Sequence, residues 1–228
     1  MDKKGTLGGL VLAALFLFLG KQFGILFLAS MITFLVLSAI VTHTGTGRKK
    51  KLKVYEKSRG IKNVLSNGLG PFIMALIFFV LSNHAMRGIE ILSIVGFMGS
   101  VAAITSDKFA SEIGVLGPPP RMLLTFKKVK RGVSGGVSVL GLISSLAAAF
   151  MISLLVLPYS QYMSMLNGTL VFYPAIAVAS ISIGGFAGNI IDSALGYYEE
   201  HGIGNKFSTN FVCSLSGAVI AILVYIAL

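Results

Sequence analysis

The chain has 228 residues, of which 55% are hydrophobic and only 12% charged, and its mean hydropathy is +0.87. A water-soluble domain of this size needs a polar surface that such a composition cannot supply, so the natural solvent is a bilayer. The formal net charge is +11, from 19 Lys and Arg against 8 Asp and Glu. The bases cluster between apolar runs, which points to anionic headgroups, a positive-inside topology or a phosphorylated substrate and not to nucleic acid.

Seven apolar segments follow one another, at 6–20, 23–42, 63–83, 89–106, 133–157, 170–197 and 208–228. The first could pass for a signal peptide, but it has no clear A-x-A site and "KQFGILFLASMITFLVLSAIV" follows at once, so it reads as a retained helix. It is short enough for a half-spanning course as well as a full crossing. Two substantial loops remain, 43–62 and 107–132. If the N-terminus is cytoplasmic, all the Lys and Arg except Lys21 and Arg87 fall on the cytoplasmic side. The expectation is an all-α, polytopic membrane protein of about seven transmembrane helices. It would form one membrane domain over 1–228, with a cytoplasmic N-terminus and the C-terminus outside.

Carboxylates inside a membrane are costly and point to function. Asp107 and Glu112 fall where the fourth segment meets the cytoplasm, and Asp192 lies within "IGGFAGNIIDSALGYYEE". Asp2, Glu56, Glu90, Glu199 and Glu200 fall in loops or at helix ends, where a solvated face explains them. Gly184, Gly188, Asp192 and Gly196 recur every four residues and share one helix face, with Asn189 a turn before the Asp. That stripe suits either close helix packing or the approach of a ligand to a metal-holding Asp.

The fifth segment opens with "RGVSGGVSVLGLISS". Ser134, Gly135 and Gly136 would sit at a helix N-terminus just after Lys127, Lys128, Lys130 and Arg131. Free N–H groups, the helix dipole and nearby bases make an anion site, although bases at a cytoplasmic helix end also serve as interface anchors. "GPPPR" at 117–121 stiffens the approach. Carboxylates bind Mg²⁺, and Mg²⁺ binds phosphate oxygens. Both features at one membrane surface suit a reaction between a soluble nucleotide and a lipid-borne group. No P-loop or G-x-G-x-x-G is present, and His43, His84 and His201 are too scattered for a zinc site. Cys213 is the lone cysteine and reads as a buried apolar residue, and "NGT" at 167–169 matches a glycosylation sequon.

"SDKFASEIG", "TFKKVKRGVSGGVSVLG" and "GGFAGNIIDSALG", together with "NVLSNGLG" at 63–70 and Asn210, carry a resemblance. From about residue 59 onward the chain resembles the membrane family that includes the plant chloroplast phytyl-phosphate kinase and the animal transmembrane protein 19. The family usually reads A-D-T where this chain has Ser106-Asp107-Lys108. That departure leaves Lys108 either pointing into solvent or adding a phosphate contact. The resemblance implies transfer of a phosphoryl group, with CTP favoured as donor, onto an isoprenoid monophosphate (phytyl, geranylgeranyl or farnesyl) in a membrane of lipids.

On that reading Asp107, Glu112 and Asp192 hold Mg²⁺. Lys127, Lys128 and Arg131 neutralise the triphosphate, while Ser134, Gly135 and Gly136 donate hydrogen bonds to it. Asn67, Asn189, Ser193 and Asn210 bind metal-bound water or nucleotide. The prenyl tail lies between helices, beside the small-residue faces. A lipid or small-molecule transporter or flippase and a CDP-lipid cytidylyltransferase stand as alternatives. The expected location is a prokaryotic plasma membrane, with the active site facing the cytoplasm.

Overall fold

The computed structural model describes residues 3–55, 60–84, 89–165 and 172–228. Asp2, Glu56, Lys57, Arg59, Arg87 and the sequon at 167–169 lie outside the described residues. The helices are α1 (Lys3–Leu19), α2 (Gly24–His43), α3 (Thr46–Lys51), α4 (Ile61–Asn83), α5 (Ile89–Gly114), α6 (Val139–Ser153), α7 (Ser160–Ser164), α8 (Pro174–Glu200) and α9 (Lys206–Ala227). Two short strands, β1 (Arg121–Met122) and β2 (Gly136–Val137), pair antiparallel in the connection between α5 and α6.

Among the described residues, six helical stretches are long and apolar enough to cross a membrane; they contain α2, α4, α5, α6 with α7, α8 and α9. α1 has only 17 residues, about 25 Å of helix. It nevertheless keeps pace with α4. Gly8 lies beside Ile61, Leu12 against Gly68, and the Phe18 ring is 5.5 Å from that of Phe79. Just past α1, Lys21 Nζ donates to Asn83 Oδ1 at 2.6 Å. α1 therefore accompanies α4 from one end of the bundle almost to the other. Stacked Phe27 and Phe97 rings, 3.9 Å apart, with Phe16 edge-on to Phe97, pin the α1–α2 pair onto α5.

α5 is the axis of the bundle. Every residue from Ser93 to Ser106 is buried, and α2, α4, α6, α8 and α9 all pack against it. Its small residues let neighbours come close: a Cβ at Gly99 would lie 2.7 Å from the Gly217 carbonyl oxygen of α9. The glycine stripe of α8 is used in the same way. Gly184 faces Gly217 and Ala221, Gly185 faces Ala102 of α5, and Gly188 faces Ala103 and the Cys213 carbonyl. The helices have taken the space that a ligand or a lipid tail would need there.

Two segment edges differ from the apolar pattern. The helix expected to stop near 106 runs on to Gly114, because packing against α6 and α8 supports a polar last two turns. Asp107 and Glu112 therefore sit inside a helix and not in a loop. The helix expected from 133 begins at Val139, where the Ser138 hydroxyl accepts from the Gly141 N–H at 3.1 Å as N-cap. Glu90, expected on a solvated face, is buried in the first turn of α5.

Candidate functional site

A cavity of about 370 Å³ opens at the end of the bundle that holds the β1–β2 connection. α5, α8, α9 and the connection itself form its walls. α5 brings Asp107 and Glu112, and α8 brings Asn189, Asp192 and Ser193. The connection supplies Ser134, Gly135 and Gly136, while Glu199 and Glu200 close the rim. Among the described residues that line the cavity, Lys206 is the only base.

The centre is a pair of acids from neighbouring helices. The Asp107 carboxyl lies against that of Asp192, and Lys206 interacts with both. Lys206 Nζ is 3.1 Å from Asp192 Oδ2. Lysine at a helix N-terminus opposes the dipole, so its place there has to be held by other contacts. The connection from α8 turns through Gly202 and Gly204, both with positive φ. Asn205 then caps α9 by accepting from the N–H groups of Phe207 (2.9 Å) and Ser208 (3.1 Å). The capping box fixes the helix start, and Asp192 supplies the counter-charge.

Three buried polar atoms around this pair have no partner among the described residues: Asp192 Oδ1 and both amide atoms of Asn189. A buried polar group left unpaired costs about 1–3 kcal/mol. Two of the three are oxygens, Asp192 Oδ1 and Asn189 Oδ1, one turn apart on α8 and facing a cavity, and these are open coordination capacity, whereas Asn189 Nδ2 can only donate a hydrogen bond. The donors are carboxylate and amide oxygens, which suit a hard divalent cation such as Mg²⁺. Among the described residues, no three His, Cys, Asp or Glu side chains come together as a metal cluster. The expected triad of Asp107, Glu112 and Asp192 is thus not assembled as one ligand set. Glu112 turns instead to two lysines: Oε2 accepts from Lys49 Nζ at 2.7 Å, and Oε1 pairs with Lys108. Thr42 Oγ1 also donates to Oε1, at 3.2 Å. The pair Asp107–Asp192 and the amide of Asn189 fit a cation better than Glu112 does.

The glycine-rich segment is not at a helix N-terminus, since it precedes the α6 cap and its N–H groups are largely committed. Ser134 N–H donates to Glu200 Oε1 at 2.8 Å, and Ser134 Oγ donates to Glu199 Oε2 at 3.1 Å. Gly136 N–H donates to the Val133 carbonyl at 3.2 Å. Gly135, at φ +77°, presses its backbone onto Gly196 of α8. Glu199 and Glu200, expected on a solvated face, therefore tie the loop down.

The expected phosphate-binding bases are elsewhere. Lys127 and Lys128 are exposed on the hairpin and do not line the cavity. Arg131 Nη2 donates to the Gly117 carbonyl at 2.9 Å and braces the loop. Asn67 and Asn210 meet each other, Nδ2 of Asn210 donating to Oδ1 of Asn67 at 3.1 Å, and join α4 to α9 outside this cavity. Lys108, left open between solvent and phosphate, is buried. Sequence reasoning missed Lys206 as a site residue. Its signal was its place just after a Gly-x-Gly-Asn turn that follows the Asp-bearing helix, a return that brings it back over that helix.

Among known proteins, an uncharacterised membrane protein of Methanocaldococcus jannaschii is 31% identical over 230 residues, covering 100% of this chain and 87% of its own. Protein PGR of Arabidopsis thaliana is 28% identical over 207 residues, 86% of this chain and 70% of its own. No solved structure matches. The family described as integral membrane protein DUF92 matches residues 1–214, and the chain belongs to that family.

Proposed function

We propose that this membrane protein is a Mg²⁺-dependent phosphotransferase that moves the γ-phosphoryl group of a nucleoside triphosphate, CTP favoured, onto an isoprenoid monophosphate. The observation that carries this reading is the facing pair Asp107–Asp192, with orphaned donors beside it, in a cavity that opens at one end of the bundle. Among the described residues, five carboxylates and one lysine line that cavity. So acidic a site repels a bare triphosphate and welcomes one delivered with cations. Bound there, Mg²⁺ would neutralise phosphate oxygens and so supply charge stabilisation at the transferring group. Asp107, Asp192 and Asn189 would hold it.

An oxygen of the acceptor monophosphate forms the new P–O bond to the γ-phosphorus. The bond from that phosphorus to the β–γ bridging oxygen breaks, and the nucleoside diphosphate leaves. The acceptor is already an anion, so no strong base is required, and the protein contributes position and charge. Lys206, paired with Asp192, would offset the negative charge that shifts to the leaving diphosphate. A transporter would hold its acids near mid-membrane. Here Asp107 lies seven residues from the end of α5 and Asp192 eight from the end of α8, about 10–12 Å in from those helix ends and well off the helix midpoints. The reading places the site on the cytoplasmic side of a prokaryotic plasma membrane, where the basic segments fall.

Purified protein in detergent with Mg²⁺, geranylgeranyl monophosphate and each of CTP, ATP, GTP and UTP tests the proposal by product mass. Prenyl diphosphate with nucleoside diphosphate is the expected result, lost on adding EDTA. Asp192→Asn is expected to reduce turnover by about 10²-fold or more while the protein still folds. A CDP-linked lipid with pyrophosphate, or full activity in the variant, overturns it.

A further inference from the structure

The connection between α5 and α6 carries a feature that the acidic cavity does not use. β1 pairs with β2 on one side and, through Arg121, bridges to Lys128 on the other. Between Met122 and Lys127 the chain reverses, and two backbone bonds close the turn. Met122 N–H donates to the Lys127 carbonyl at 2.9 Å, and Phe126 N–H donates to the Met122 carbonyl at 2.8 Å. Arg121 Nη1 adds a bond to the Phe126 carbonyl at 3.0 Å. Met122 is buried. This is a tied turn and not a slack loop, yet what it presents is apolar: Phe126 is 70% exposed and Leu124 44%.

Phe126 also has φ +57°, a conformation that bulky residues rarely adopt and that Gly or Asn takes at less cost. An exposed aromatic in that place calls for a contact outside the chain. Charge points to its nature. Residues 115–137 carry Arg121, Lys127, Lys128, Lys130 and Arg131 and no acid, and the first four are exposed. Apolar side chains ringed by bases match an anionic lipid surface, where the rings enter the headgroup boundary and the bases meet phosphate. A soluble partner could also cover Phe126, but the level of the connection favours the membrane. A Cβ at Gly117 would lie 3.3 Å from the Leu140 Cβ, in the first turn of α6. Its neighbour Val139 is 74% exposed and begins a stretch apolar enough to cross a bilayer. The connection thus leaves the bundle where an apolar helix enters lipid.

We propose that the Met122–Lys128 turn docks on the anionic leaflet of the membrane that the bundle spans. Leu124 and Phe126 enter the headgroup boundary, and Arg121, Lys127 and Lys128 lie against lipid phosphates. This docking does not depend on the phosphotransfer reading. It does reach the acidic cavity: β2, the partner of β1, lines that cavity, and Leu123 N–H donates to the Gly135 carbonyl at 3.1 Å. A turn held in the leaflet fixes that wall of the cavity relative to the bilayer.

The chain has no tryptophan, so Phe126→Trp places a single indole at the tip. The full-length variant is reconstituted into phosphatidylcholine vesicles with or without phosphatidylglycerol, with bromine on the upper acyl chain of the phosphatidylcholine. Blue-shifted emission, quenched by bromine and shielded from acrylamide, is the expected result. Phosphatidylglycerol is expected to raise the bromine quenching by about twofold or more. Adding Lys127→Glu and Lys128→Glu to the same protein should abolish that rise. Leu124→Trp, outside the positive-φ position, gives the same reading and decides the matter where Phe126→Trp does not fold. An indole that acrylamide quenches and bromine does not would place the tip in water, open to a soluble partner, and overturn the proposal. Quenching that phosphatidylglycerol leaves unchanged, or whose rise survives the charge reversal, overturns it as well.

Discussion

Lys206 and Lys127 are both lysines on the same end of the bundle, yet their positions assign them different work. Lys206 reaches Asp192 inside the cavity, whereas Lys127 stands exposed on the hairpin. Lys206→Met is expected to lower kcat/KM for the nucleotide by about ten- to a hundredfold, the scale of a charge-assisted contact. Lys127→Ala should change it less than twofold at fixed salt, consistent with a solvated surface charge. Steady-state kinetics on the two variants separate them. This contrast also marks where the sequence stopped being readable. Clustering made Lys127 and Lys128 conspicuous, while Lys206 owes its role to a chain reversal whose one local sign is the Gly-x-Gly-Asn turn before it. Asp107 and Asp192 were legible because an acid inside an apolar run demands an explanation. Glu112 was equally conspicuous, but its two lysine partners, Lys49 and Lys108, come from α3 and from its own helix, and only the fold reveals them.

At the scale of elements, the glycines divide by what lies beyond each missing Cβ. Gly196 meets the Gly135 backbone, and an added Cβ would lie 2.7 Å from the Gly135 Cα. Backbone cannot yield as a side-chain tip does, so Gly196→Ala is expected to cost about 1–3 kcal/mol, read as a lower melting temperature in detergent. Gly47, on α3, has nothing within 4 Å of the same position among the described residues, and Gly47→Ala should leave stability unchanged or raise it slightly. The apolar segments were plain in the sequence because about 20 apolar residues have few other uses. Their ends were not. The last two turns of α5 are polar and take their helical form from the helices around them, and the six residues from 133 to 138 look apolar and small enough to continue α6. The glycine-serine run illustrates the same limit. Its composition fits an anion cradle, yet in the fold Glu199 and Glu200 have claimed the Ser134 donors.

At the scale of the whole molecule, the hairpin, the Lys49–Glu112 pair and the start of α9 share one end, and Lys21 with Asn83 marks the other. The only cysteine, Cys213, is buried, so introduced thiols report topology cleanly. Lys50→Cys and Lys128→Cys are expected to react with a membrane-impermeant maleimide from one face, and Met165→Cys from the other. Comparing intact cells with inverted vesicles checks this; equal labelling of all three from a single face would break the assigned crossing pattern.

The pairing of Asp192 with Lys206 also constrains how the protein is made. Synthesis runs from α8 to α9, so the acid is complete before its counter-charge exists. Only five residues, 201–205, separate the two helices, and they pack along each other. A solitary α8 would carry an uncompensated acid into lipid, whereas a hairpin of both helices carries a matched pair. Insertion of α8 together with the start of α9 is therefore favoured over insertion of α8 alone, and a nascent chain halted before Lys206 would expose an acid that membrane quality control can recognise as unfinished.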